Sequence, residues 1–300
     1  MTDTGELAWG LRYAPHLGYV PPDRLLFVGL AGAARSDHVH FAAKQGFAGV
    51  LNPWVGDHSV EERSSIAAAL RETGLVSGSI VTLPQRRAAA PLWVTTDSIT
   101  RSELIKDVKR SIDIACQMRS KVLAVLLAGD PANDRDTQKR VALDRLVECA
   151  DLAAEHGLSL AIEPMIRLPN MLLRTFAEGI DLIERAQHPA LGLIYDTAHC
   201  CDMGEDPLEA LVAGYDRIVI AQLADAPGRV EPGAGNIPFI PILSELMHRG
   251  FDGLVELEFN WSSPNEQAEL AGLKALAALD AQAQAACRHR PIANESLSHV

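Results

Sequence analysis

Four oxygen-bearing side chains close four successive apolar runs in the second half of the chain. Glu163 ends LSLAIEP (158–164), Asp196 ends LGLIYD (191–196), Gln222 lies near the end of RIVIAQL (217–223), and Glu258 near the end of GLVELEF (253–259). Each is a lone polar residue, or nearly so, on a run that otherwise reads as a buried strand. Neighbouring parallel strands lie ~5 Å apart, so side chains at their ends converge. Three carboxylates that close repel one another unless a cation neutralises them. An oxygen donor set without thiolate suits Mn2+ or Mg2+, then Co2+ and Zn2+, and one such ion is expected. Taken singly, each acidic residue reads more readily as a helix N-cap or a loop ion pair; the four in phase point to a metal.

Other residues belong to the same edge. His199, three residues after Asp196, fits a ligand, a substrate hydrogen-bond donor or a capped loop histidine. Glu256 shares the face of Glu258 one layer deeper, where an unpaired carboxylate is costly. Arg12 on the first strand is its expected partner. Periodicity leaves open which of the two glutamates binds metal. Arg229, held in PGRVEPG (227–233), fits a fork for a substrate carboxylate or phosphate, or a pairing with Glu231 that stiffens the loop. Trp54 in LNPWVGDH (51–58) and His16 after the first strand are expected to wall the substrate pocket, although a tryptophan also serves simple packing.

The elements that would position these residues alternate in type. Strand-like runs at 8–14, 47–52, 75–81, 121–127, 158–164, 191–196, 217–223 and 253–259 are separated by helix-like segments near 36–45, 59–73, 101–118, 136–156, 174–187, 206–213 and 239–249. A last helix is expected at about 265–286. Gly46, Gly74, Gly157 and Gly250 each stop a helix just before a strand. Eight such units without a GxGxxG after the first strand favour a single-domain (β/α)8 TIM barrel over a doubly wound sheet. The barrel is expected over 1–287, with 288–300 a loosely held tail.

Bulk properties exclude some partners. A net charge of −12 gives no footprint for nucleic acid or anionic membrane. The five cysteines lack CxxC spacing, against a disulfide framework or a zinc ribbon. The first residues do not read as a secretory leader, and no apolar run approaches the ~18 residues of a membrane span. A cytoplasmic homo-oligomer acting on a small molecule is the expectation.

LAIEP, YDTAH, QLADAPGRVEPGAG and FDGLVELEF, in this order, resemble the xylose isomerase-like barrels of sugar isomerases and epimerases, most closely the hydroxypyruvate isomerase group. The resemblance spans about residues 9–275 and is specific in these four motifs. It implies Glu163, Asp196, Gln222 and Glu258 as metal ligands, Glu163 and Glu258 as the acid/base pair, and His199 and Arg229 as substrate-holding residues. It also selects Glu258 over Glu256, so that Glu256→Gln should leave metal binding intact. The implied reaction is isomerisation of a small keto sugar or sugar acid: a cation chelated by carbonyl and hydroxyl acidifies the neighbouring C–H, and two glutamates move the proton through an enediolate. Met165, Ile166 and Arg167 stand where the family has an Asn, Val230 where the group has a His, and Asn52 where the second strand commonly ends in Glu. These departures keep other readings open: ketose 3-epimerisation, β-elimination of a 3-keto-glycoside with a small partner subunit, and a sugar-acid-binding barrel without turnover. The DNA-repair endonucleases of the superfamily fit less well, given Gln222 and the acidic charge.

Overall fold

Each apolar run becomes a parallel strand, and the computed structural model, which describes residues 8–19 and 24–289, arranges them as a ring. The strands are β1 (Arg12–Pro15), β2 (Gly49–Val50), β3 (Val76–Ser77), β4 (Ile80–Val81), β5 (Val122–Val125), β6 (Ser159–Ile162), β7 (Leu191–Asp196), β8 (Ile218–Leu223) and β9 (Leu254–Leu257). Eight runs give nine strands because the third is interrupted at Gly78 and Ser79. One sheet runs β1-β9-β8-β7-β6-β5-β4, with β2 and β3 paired beside it. Backbone bonds close the circle: Ala48 N–H to Tyr13 C=O and Leu51 N–H to Pro15 C=O, both 2.9 Å, join β2 to β1. The fold is the single-domain TIM barrel expected from the alternating pattern.

Outside the ring lie α1 (Val28–Ala31), α2 (Arg35–Lys44), α3 (Val60–Thr73), α4 (Ser98–Met118), α5 (Arg135–Ala154), α6 (Phe176–Ala186), α7 (Thr197–Asp202), α8 (Pro207–Gly214), α9 (Phe239–His248) and α10 (Glu266–Arg288). Gly46, Gly74, Gly157 and Gly250 all adopt positive φ, between 65° and 76°, a conformation other residues enter only at a cost. Strand alternation divides the core into two layers. Leu123, Leu160, Leu193 and Val255 pack outward against the helices, while Ala14, Ala124, Ala161, Ile194 and Ile220 fill the barrel. Inner and outer faces are both apolar, as parallel strands buried on two sides require.

One expected partnership is corrected by register. Arg12 lies beside Leu254, a step below the Ala14–Glu256 pair. Its exposed guanidinium donates to the Asp252 carbonyl instead of reaching Glu256. The tail expected from 288 falls, beyond His289, outside the described residues. Among those residues, no helix is long and apolar enough to cross a membrane.

Candidate active site

Strand register sets the polar groups side by side. Asp196 on β7 is level with Gln222 on β8, and Gln222 is level with Glu256 on β9. Glu163 directly follows β6 and Glu258 directly follows β9, so both leave their strands at the C-terminal end. Glu163, His199, Gln222, Arg229 and Glu258 line one cavity of about 260 Å³, with Asp196 buried behind Arg229. Trp54, Val81, Leu126, Met165 and Leu168 form its apolar wall, and Arg167 also borders it.

Asp196 has two roles at once. Its Oδ1 accepts from the His199 N–H at 2.8 Å and so caps α7, while Oδ2 accepts from Arg229 Nη2 at 2.8 Å. The same Nη2 is 3.2 Å from Glu258 Oε1, so one guanidinium nitrogen serves two buried carboxylates. Burial opposes the charge on Arg229, but Asp196 and Glu258 outweigh it and keep the group firmly protonated. Burial likewise pushes Asp196 up, and Arg229 and His199 more than reverse this, leaving its pKa below the usual carboxylate range. For Glu258 burial prevails: helped by Glu163 and Asp196 and opposed by Arg229, it raises the carboxyl to about 8.

His199 Nε2 is 3.3 Å from both Glu163 Oε1 and Arg229 Nη1, and it can donate to the first or accept from the second but not both. Burial lowers its pKa, yet Asp196, Asp202 and Glu163 together carry it to about 9. The ring is therefore cationic at neutral pH and donates to Glu163. Asp202 is itself ion-paired to Arg167, which links the cavity rim to the histidine.

The donor set suits a divalent cation. Glu163, Asp196 and His199 each bring a ligand atom within 4.8 Å of the others. Gln222 Oε1 is buried without a hydrogen-bond partner, an expensive arrangement that a cation would relieve. Were a bound cation to displace the His199 proton, the neutral imidazole beside the carboxylates would bring Zn2+ and Co2+ level with Mn2+ and Mg2+ as fitting ions.

Two expected residues stand elsewhere. Glu231 accepts from Ser262 N–H at 2.8 Å and Ser262 Oγ–H at 2.6 Å, so it neither pairs with Arg229 nor lines the cavity. His16 is buried with both nitrogens engaged: Nε2 meets the Phe259 carbonyl at 2.8 Å and Nδ1 accepts from Gly18 N–H at 3.0 Å. Burial lowers its pKa to about 3, so it is a neutral brace between the first and last loops. Trp54 does line the cavity.

Three contributors escaped the sequence reading. Tyr19 lines the cavity, with the Arg229 guanidinium 5.6 Å from its ring centre. Asn260 donates to the Tyr19 hydroxyl at 2.9 Å. Asp225, buried two residues past β8, accepts from the N–H groups of Ala226, Gly233, Gly235 and Ile237 and so shapes the loop that carries Arg229. Its signal was an Asp at a strand exit followed by a glycine-rich loop with many unpaired N–H groups.

Comparison with known proteins agrees with this architecture. The model of a family described as xylose isomerase-like TIM barrel matches residues 39–279. The 2-oxo-tetronate isomerase of Pectobacterium atrosepticum is 29% identical over 203 residues, 65% of this chain and 76% of that protein. A putative hydroxypyruvate isomerase of Streptomyces coelicolor is 33% identical over 137 residues, 43% of this chain and 47% of that one. Among solved structures, an AP endonuclease of family 2 from Brucella melitensis superposes with a TM-score of 0.74 at 21% identity, covering 88% of this chain and 98% of its own. At that identity the likeness concerns the fold.

Proposed function

The chain belongs to the xylose isomerase-like TIM barrel family, and we propose that it is a divalent-metal-dependent isomerase of a small keto sugar or sugar acid. One observation carries this reading: two carboxyl groups, Glu163 and Glu258, face the same cavity beside a buried amide oxygen that has no partner. Glu163, Asp196, Gln222 and Glu258 would hold the cation, with His199 next to them. When bound, it supplies Lewis acidity that makes the C–H beside a substrate carbonyl easier to ionise. Glu163 and Glu258 move the proton, one removing it and the other returning it at the adjacent carbon. His199 Nε2 holds Glu163 at the cavity wall, and Arg229 or Arg167 offers a charge-assisted hydrogen bond to a substrate carboxylate. The apolar wall limits water around the proton being moved. The similarity to 2-oxo-tetronate and hydroxypyruvate isomerases supports a sugar acid as substrate.

The test is solvent exchange. Mn2+-loaded protein in D2O is incubated with hydroxypyruvate, 2-keto sugar acids, ketoses and 3-keto-glucosides, and deuterium beside the carbonyl is measured. Exchange into a keto sugar acid is expected, with both Glu163→Gln and Glu258→Gln losing it. Absence of exchange with every compound, or full exchange by either variant, would refute the proposal.

The cavity favours one second reading. Its volume of about 260 Å³ is many times the ~10–15 Å³ that admits a single water, more than a three-carbon acid fills. The same proton abstraction from a larger keto-glycoside would lead to β-elimination. Release of an aglycone from the 3-keto-glucoside would identify that outcome.

A further inference from the structure

Glu256 has no part in the proton transfer, yet it is a fully buried carboxylate inside the barrel with three donors arranged around it. Oε1 accepts from Ser79 N–H at 2.6 Å, and Oε2 accepts from Ser79 Oγ–H and from Gln222 Nε2 at 2.9 Å each. The third strand-like run is interrupted to admit it. A Cβ at Gly78 would stand 2.2 Å from Glu256 Oε1 and would displace the carboxylate, and the break between β3 and β4 presents the Ser79 N–H to it.

This arrangement fixes which way the Gln222 amide faces. The ionised carboxylate, already accepting from a backbone N–H and a hydroxyl, can only accept from a third group, and Gln222 turns its NH2 toward Glu256 in the 2.9 Å Nε2–Oε2 bond. Its oxygen is thereby turned away from Glu256; Oε1 is buried without a partner, and Gln222 lines the same cavity as Glu163, His199 and Glu258. We propose that Glu256, braced by Ser79 and admitted by Gly78, is a positioning residue that locks Gln222 with its carbonyl oxygen presented to the metal. The device is the outer-shell carboxylate that orients a ligand and raises its basicity, here acting on an amide. It also answers how two glutamates share one face: the deeper one holds a ligand in place, and Glu258 works at the mouth. Metal binding left intact by Glu256→Gln, the expectation from sequence, is replaced by weakened binding. At position 256 an amide could donate to the Gln222 oxygen and turn its NH2 toward the ion.

The inference rests on the metal site proposed above, and a double-mutant cycle read by calorimetric titration with Mn2+ separates the two. Native protein, Glu256→Gln, Gln222→Leu and the double variant are compared, with circular dichroism melts to verify folding. Glu256→Gln should weaken Mn2+ binding roughly 10- to 100-fold. In the Gln222→Leu background it should change affinity by less than about twofold, because Glu256 acts through Gln222. Should Glu256→Gln not fold, Ser79→Ala takes its place, with a few-fold loss alone and none beside Gln222→Leu. Native-like affinity in Glu256→Gln, or equal losses in both backgrounds, overturns the positioning role while leaving the metal site standing. Failure of the native protein to bind Mn2+, Zn2+ or Co2+ overturns both.

Discussion

Arg229 brings a positive charge into a chamber of carboxylates, meeting Asp196 at 2.8 Å and Glu258 at 3.2 Å. Removing one partner of a buried charge cluster leaves the others uncompensated, at a cost of about 3–5 kcal/mol. Arg229→Gln should destabilise the metal-free protein by that order in urea denaturation, and saturating Mn2+ should restore most of the loss because it neutralises the same carboxylates. A metal-independent loss would mean that the loop, not the charge, had failed. His16 makes a second residue-scale prediction. Its pKa falls from 6.5 to about 3 on folding, so between those values the unfolded chain binds more protons and stability decreases as the pH drops. This contribution is complete above pH 6.5 and fades toward pH 3, with a slope of up to about 1.4 kcal/mol per pH unit. His16→Gln should show a flatter acid limb than the native protein in denaturation curves taken from pH 7 to 4. An unchanged limb would contradict the neutral-brace assignment.

At the scale of elements, the loop after β8 is a rigid arm organised from within. Asp225 takes four backbone N–H groups at 2.8 to 2.9 Å, and Arg229 itself sits at φ 56°, a region costly for a residue with a side chain. That conformation persists because the surrounding loop determines it. Asp225→Ala should cost about 3 kcal/mol by orphaning the amides and should open the segment 227–237 to limited proteolysis while the rest of the barrel stays protected. Gly235→Ala should mimic it, since a Cβ there would lie 2.4 Å from the Ala226 carbonyl oxygen. Uniform cleavage across the molecule in either variant would argue that the loop is not a separable unit.

At the scale of the whole molecule, α10 is tied to the start of the chain's ring. Buried Asp280 accepts from Gly10 N–H at 2.8 Å and Tyr13 O–H at 2.9 Å, and Glu269 accepts from Gly29 and Leu30 N–H at 3.0 Å each. The last helix therefore holds the first strand and α1 in place, and β1 in turn pairs with β9. Asp280→Ala should lower global stability by about 3 kcal/mol and speed amide exchange at β1 more than at β6, measured by hydrogen–deuterium exchange. Equal acceleration at both strands would show that α10 does not act as the clasp.

The barrel and its polar strand ends were legible in the sequence because their signals are local. Apolar runs alternate with helix-length segments, glycine marks the stops, and Glu163, Asp196, Gln222 and Glu258 interrupt otherwise apolar strands. His199 and Trp54 followed from their place just beyond such ends. Partner choice was not legible, because it joins residues far apart in sequence at distances set by strand register. Glu256 turned from the expected Arg12 to Gln222 and Ser79, Arg229 meets Asp196 and Glu258 where a substrate fork or a pairing with Glu231 had both stood open, and His16 turned from the cavity to the Phe259 carbonyl. The sequence by itself determined which residues could do chemistry and that they lie at one end of a barrel. Only the tertiary structure decided how charge, proton and amide orientation are distributed among them, since a step of one residue in register exchanges one neighbour for another.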